Sequence, residues 1–199
     1  MKVQQHAVQF VGSSNTITDW LWIDYHDRIN VLVQDTAGQF LVFRQTKYAL
    51  ESRQSKAVVG GIVEPHEEPA VAARREVNEE MGGIECQEYI PLGRFRTDVN
   101  RGMGWVHPFL ARECERPKRQ EKDGGRMTVR EGTTNNNNNN NNNSDNANDG
   151  AEVGAADTER QDLEKLSTEG LLAATKKGEF LEVQWSNTVA LALLYLQAL

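Results

Sequence analysis

The sequence predicts an α/β domain in which strands flank a short helix and a long apolar helix closes the chain. Three observations predict it. Apolar runs before residue 50 read as strands, a glycine-bounded stretch at residues 60–83 holds a helix, and VALALLYLQAL ends the chain. At 199 residues the chain can bury one good core and carry some decoration.

Taken in order, residues 6–11 read as a strand before the turn-like GSSN, and WLWIDY at 20–25 alternates bulky side chains as a strand does. RINVLVQ (28–34) and QFLVFRQ (39–45), joined by DTAG, read as a β-hairpin. Val31 and Val33 take one side and Leu32 the other, and Phe43 closes the second strand beside Arg44. Beyond the glycine-bounded stretch, residues 89–92 and then WVHPFLA read as strands. Pro108 cannot donate to a ladder, which places WVHPFLA at an edge or a bulge. Between these two strands, residues 97–104 form a glycine-rich polar loop. Residues 112–132 mix both charge signs and read as a hairpin around Asp123-Gly124-Gly125.

Thr133-Thr134 then open onto an uninterrupted asparagine run. Residues 133–157 read as a low-complexity loop inserted within a single domain spanning 1–199. The core resumes near Thr158 with a strand or extended piece. A helix capped by Ser167 or Thr168 follows and ends at Gly178. The last helix, over 187–198, is apolar on most sides and is expected to lie between the sheet and a loop or a second subunit.

The stretch GGIVEPHEEPAVAARREVNEEMGG organises the rest. Pro69 suits a first helical turn, where its missing N–H would be unpaired anyway, and Gly82-Gly83 suit a helix end. Ala70, Ala73, Val77 and Met81 recur at helical spacing, and their small size lets the helix pack close to a sheet. Glu76 and Glu80 lie one turn apart with Glu79 on the flank. Three carboxylates in one turn repel, and a hard cation that prefers oxygen ligands, Mg²⁺ or Mn²⁺, resolves that repulsion. A solvated acidic face is the plain alternative. Arg75 stands eight residues from Glu67, about two turns, so an Arg75–Glu67 pair would tie the turn to the helix as a structural link.

These residues resemble the Nudix box, which reads G, five residues, E, seven residues, R-E, an apolar residue, any residue, E-E, any residue, G, then an apolar residue. Gly61, Glu67, Arg75-Glu76, Glu79-Glu80 and Gly82 fill it in order. The final position departs: Gly83 stands there and Ile84 follows one place late. His66 also stands where many members have glycine, and AVVGG replaces an LPAG-like run.

The resemblance implies a loop–helix–loop clasped in a mixed β-sheet with helices on both sides. It implies a Mg²⁺ (or Mn²⁺) site at Glu76, Glu79, Glu80 and the Gly61 carbonyl, with Glu67 and Arg75 structural. Glu79 is one catalytic candidate. In members acting on ADP-ribose a glutamate on a late loop supports the nucleophile, and Glu159 matches best, with Asp162 and Glu164 as competitors. The run Arg44-Gln45-Thr46-Lys47-Tyr48 and the closing helices resemble that group as well, whereas its Ser-Pro-Gly-like sequence is absent. Substrate candidates are Arg44, Arg101 and Trp105, with Lys47 and His107 beside them. A surface cation remains open for Arg44, core filling for Trp105, and simple packing for His107.

The implied activity is Mg-dependent hydrolysis of a nucleoside diphosphate linked to another moiety, ADP-ribose or a related sugar nucleotide being preferred. A Nudix enzyme for NADH, coenzyme A or a nucleoside triphosphate is the alternative, followed by a non-catalytic module, which would have lost box carboxylates. Members often form homodimers. A net charge of -7 argues against general nucleic-acid binding. No apolar run is long enough for a bilayer and no signal peptide is evident. Cys86 and Cys114 match no disulfide framework, so a reducing, cytoplasmic setting is expected.

Overall fold

Strands with apolar runs too continuous for a sheet with one wet face must be covered on both sides. RINVLVQD and FLVFRQT are such strands: Val31 to Val33 and Phe40 to Phe43 are all buried. In the computed structural model, which describes residues 1–117 and 161–198, they form the spine of the domain. The strands are β1 (Lys2–Gln9), β2 (Thr16–Asp24), β3 (Arg28–Asp35), β4 (Phe40–Thr46), β5 (Gln54–Ala57) and β6 (Val59–Ile62). Helix α1 (Pro69–Glu80) follows, then β7 (Glu85–Pro91), β8 (Phe95–Asp98), β9 (Gly102–Glu115), β10 (Gln161–Leu166), α2 (Thr168–Lys176) and α3 (Val183–Gln197).

The sheet is mixed. Its main path runs β1-β2-β9-β3-β4-β10, with β5 on β4, β6 on β3, and β7 and β8 on β9. The β3–β9 pair is parallel, from Arg28↔Val106 to Val33↔Ala111, whereas β3–β4 and β4–β10 are antiparallel. Helix α1 packs on β3, β6 and β7, and α3 packs on β3 and β9, giving the spine its cover. Asp35 Oδ1 accepts from the backbone N–H groups of Ala37 and Gln39, which closes the β3–β4 turn.

One irregularity positions the site. Strands β3 and β4 pair only beside their turn, at Val33↔Leu41 and Gln34↔Phe40. Beyond that β3 takes β6 as its partner and β4 takes β5. The sheet forks, and the fork opens a space between its strands.

Two expectations are corrected. Pro108 lies on a central strand rather than an edge, opposite Asn30 of β3. Its carbonyl accepts from Leu92 N–H on the other side of β9, and the regular ladder there breaks between Pro91↔Phe109 and Phe95↔Val106. A strand residue's N–H and C=O point the same way, so the missing donor falls at the break between β7 and β8. Cys86 and Cys114, expected as free thiols, form a disulfide across the β7–β9 pair. They are far apart in sequence, and only the strand register makes them neighbours. The inference of a reducing compartment loses its basis with them. The 112–132 hairpin from residue 118 onward, and the asparagine-rich insertion, lie outside the described residues. Among the described residues no helix is long and apolar enough to cross a membrane.

Candidate active site

Helix α1 begins at Pro69 with Glu68 as its cap residue and buries Ala72, Ala73, Val77 and the capping Met81 against the sheet. It ends in a Schellman motif: Gly83 N–H donates to Asn78 C=O at 2.7 Å, with Gly82 at φ 67°. Gly83 is also left-handed, at φ 83°, and delivers Ile84 into the core, 6% exposed. The late apolar residue of the motif therefore reaches the interior through one extra glycine. His66 adopts φ 69°, the left-handed region, which accounts for glycine being common at that place.

Arg75 is the hub of the loop. Its Nε and Nη2 donate to the two carboxylate oxygens of Glu67, each at 3.0 Å, a bidentate fork. Nη2 also donates to Ile62 C=O at 3.1 Å, and Nη1 donates to Glu76 Oε1 at 2.7 Å. Glu79 Oε2 lies 3.5 Å from the same nitrogen. The hydrogen bonds from Arg75 and from Glu64 N–H hold the Glu67 carboxyl below its usual range. Burial pushes the Glu76 carboxyl up, against the pull of Arg75.

Glu76 lies directly on Gly61. A Cβ built at residue 61 would stand 2.0 Å from Glu76 Cδ. This contact joins the glycine pair of β6 to the acidic face of α1, and an all-oxygen donor set of this kind suits a hard divalent cation. Among the described residues no three acidic, histidine or cysteine side chains converge as a ready metal cluster. The geometry gives the reason: Glu76 and Glu79 both turn toward the Arg75 guanidinium.

A cavity of about 400 Å³ opens in the fork of the sheet. Gly60, Gly61 and Glu80 line it, so the box forms one wall. Asn30 of β3, Gln45 of β4 and Glu182 and Trp185 at the start of α3 form others. The sequence reading missed these four. Asn30 did leave a signal, as the polar residue inside an otherwise apolar strand, whereas nothing local marks Glu182.

The substrate candidates other than Lys47 lie elsewhere. Arg44 is half-exposed and 3.6 Å from Asp162 of β10, and it does not line the cavity. Trp105 is clasped by Arg94 and Arg96, whose guanidinium carbons stand 4.1 and 5.0 Å from its ring centre. Arg101 covers Trp20 at 5.3 Å. His107 Nε2 lies 3.4 Å from Asp27 Oδ2, and Asp27 Oδ1 accepts from the backbone N–H of Trp105. Lys47 does line the cavity. Of the late acidic candidates, Glu164 pairs with Lys56 and Asp162 with Arg44, both on β10, and Glu159 lies outside the described residues.

The family profile of the NUDIX domain matches residues 24–196. The chain belongs to the Nudix family. It is an enzyme of the Nudix pyrophosphatase type, a diphosphate hydrolase, and its box spans the β6–α1 unit described above. The match begins at the last residue of β2, so β1 and most of β2 precede the shared domain. No curated protein matches this sequence. Among solved structures, that of an ADP compounds hydrolase superposes with a TM-score of 0.64 at 11% identity, covering 100% of this chain and 93% of the other. At that identity the likeness concerns the fold alone.

Proposed function

We propose that this Nudix enzyme cleaves the diphosphate of a nucleoside diphosphate joined to a second moiety, ADP-ribose or a related sugar nucleotide, with Mg²⁺ or Mn²⁺ as cofactor. The observation that carries the reading is the junction of box and cavity: Glu76 rests on Gly61, and Gly61, Gly60 and Glu80 line the space in the fork. A diphosphate held there lies beside the acidic face of α1, with the attached moiety directed into the cavity. The solved protein of like fold whose name refers to ADP compounds supports this substrate class by analogy only.

Glu76, Glu79, Glu80 and the Gly61 carbonyl would hold the metal, which when bound offsets phosphate charge and lowers the pKa of water. In the reaction a water oxygen bonds to one phosphorus, the bridging P–O bond breaks, and a nucleoside monophosphate and a sugar phosphate leave. Glu79 and Glu159 are the residues proposed to take the water's proton. Arg75, through its fork to Glu67, fixes the loop and the side chain of Glu76 and takes no part in bond making. Pairing of two chains belongs to the same reading, and Val183 and Leu194 of α3, both exposed, are available to it.

The test is phosphate release, coupled to a phosphatase, from ADP-ribose, UDP-glucose, NADH, coenzyme A and dGTP, with Mg²⁺ and with Mn²⁺. The expected result is preferred turnover of ADP-ribose that Glu80→Gln abolishes. A flat panel, together with unchanged Mg²⁺ binding in Glu80→Gln, overturns the reading.

A further inference from the structure

The cavity is built beyond what the box needs. Asn30 and Gln45 are 3% and 5% exposed, and both line it. Asn30 Nδ2 and Gln45 Oε1 are buried without a hydrogen-bond partner. Buried polar atoms are nearly always paired, so two orphans on side chains that line one space point to a partner supplied from outside the chain. Glu182 adds a carboxylate at the start of α3, where it makes no capping hydrogen bond to the helix. It faces Arg28 and Lys47, and burial raises its carboxyl above the usual range against their pull. The wall thus offers one donor and two acceptors. Trp185, 8% exposed, supplies an apolar surface beside them.

We propose that this cavity binds the sugar joined directly to the scissile diphosphate, with Glu182 and Gln45 accepting from its hydroxyl groups and Asn30 donating to one. The assignment rests on the diphosphate-hydrolase reading above, and it makes these three residues determinants of specificity. Contiguity favours a sugar over a base. The cavity begins at Gly60, Gly61 and Glu80, and the group attached to a phosphate in these compounds is a sugar, the base being one unit further away. Chemistry agrees, because a vicinal diol donates to a carboxylate through both hydroxyls and keeps lone pairs for an amide N–H.

The test measures binding to the full chain by calorimetry, with ribose 5-phosphate, 2-deoxyribose 5-phosphate and inorganic phosphate as probes. The wild type should prefer ribose 5-phosphate over its 2-deoxy analogue by about tenfold or more, the scale of a hydrogen bond to a charged group. Glu182→Gln should erase that preference while binding inorganic phosphate as before. Gln45→Met, which keeps the shape and removes the acceptor, should weaken ribose 5-phosphate in the same direction and serves if Glu182→Gln fails to fold. Equal binding of the two sugars by the wild type, or a preference that survives in a folded variant, overturns the assignment. ADP-ribose turnover without a diol preference removes this assignment and leaves the hydrolase reading standing. Absence of any turnover removes both.

Discussion

The Glu76 carboxylate occupies the space that a side chain at residue 61 would need, its Cδ lying 2.0 Å from where a Cβ would be built. Glycine at 61 is thus required by a contact rather than by a turn. Gly61→Ala should push Glu76 off the β6 backbone and lower kcat by about a hundredfold, the scale of a displacement near 1 Å at a reacting centre. The displaced group is the flexible end of a side chain, so the variant should fold. Steady-state kinetics alongside circular dichroism checks this, and a kcat within twofold of wild type would refute it.

Arg75 should be irreplaceable by lysine. Its Nε and Nη2 grip both oxygens of Glu67, Nη2 reaching Ile62 C=O as well, while the second arm, Nη1, reaches Glu76. Arg75→Ala should cost about 2–3 kcal/mol, since it strands charged partners. Arg75→Lys should recover less than half of that, because a single ammonium cannot span the same acceptors. Urea unfolding of the two variants decides it.

The same pair sets an acid-side dependence. Arg75 and the Glu64 N–H hold Glu67 below its unfolded value near 4.5. A depressed carboxyl contributes stability above its unfolded pKa and loses it as pH falls through the folded value. The melting temperature should therefore fall below about pH 4.5, and Glu67→Gln should flatten that part of the curve. An unchanged slope in the variant would show that other carboxyls carry it.

The Cys86–Cys114 bridge closes a loop with a sequence separation of 28. Constraint of the unfolded chain by a loop of that length is worth roughly 3–4 kcal/mol. Denaturant unfolding with and without reductant should differ by that amount, and the Cys86→Ser/Cys114→Ser double variant should match the reduced protein and ignore reductant.

At His66, with φ 69°, a β-branched residue is expected to do harm that glycine does not. His66→Val should destabilise by about 1–3 kcal/mol, the cost of a strained backbone. His66→Gly should stay within about 1 kcal/mol of wild type, relief of strain being offset by greater freedom in the unfolded chain. Melting temperatures of the two variants, compared side by side, provide the check.

Much of this was legible locally. The hairpin at β3–β4 follows from continuous apolar runs around an Asp-Thr-Ala-Gly turn, and α1 from its proline, its small apolar face and its glycine end. The last helix also answers to its pattern, although it starts a turn earlier than residue 187, at Val183. Ser167 caps α2 by accepting from Gly170 N–H, one of the two residues its sequence offered. The spacing of Gly61, Glu67, Arg75, Glu76, Glu79 and Glu80 identified the family, because those positions are fixed along one loop and one helix.

What lies across the sheet was not legible. Cys86 meets Cys114, Pro108 sits beside a break in its ladder, and Asn30, Gln45 and Glu182 meet around one cavity because β3 and β4 part company. A residue's own neighbours in sequence determine turns, caps and helix faces, since those contacts span only a few residues. Register and forking depend on which distant strands win as partners. The sequence by itself determined the box, its acidic face and the elements that carry it. Only the tertiary structure decided what the box faces, because the cavity's walls come from strands and a helix whose contacts exist only once the chain has closed.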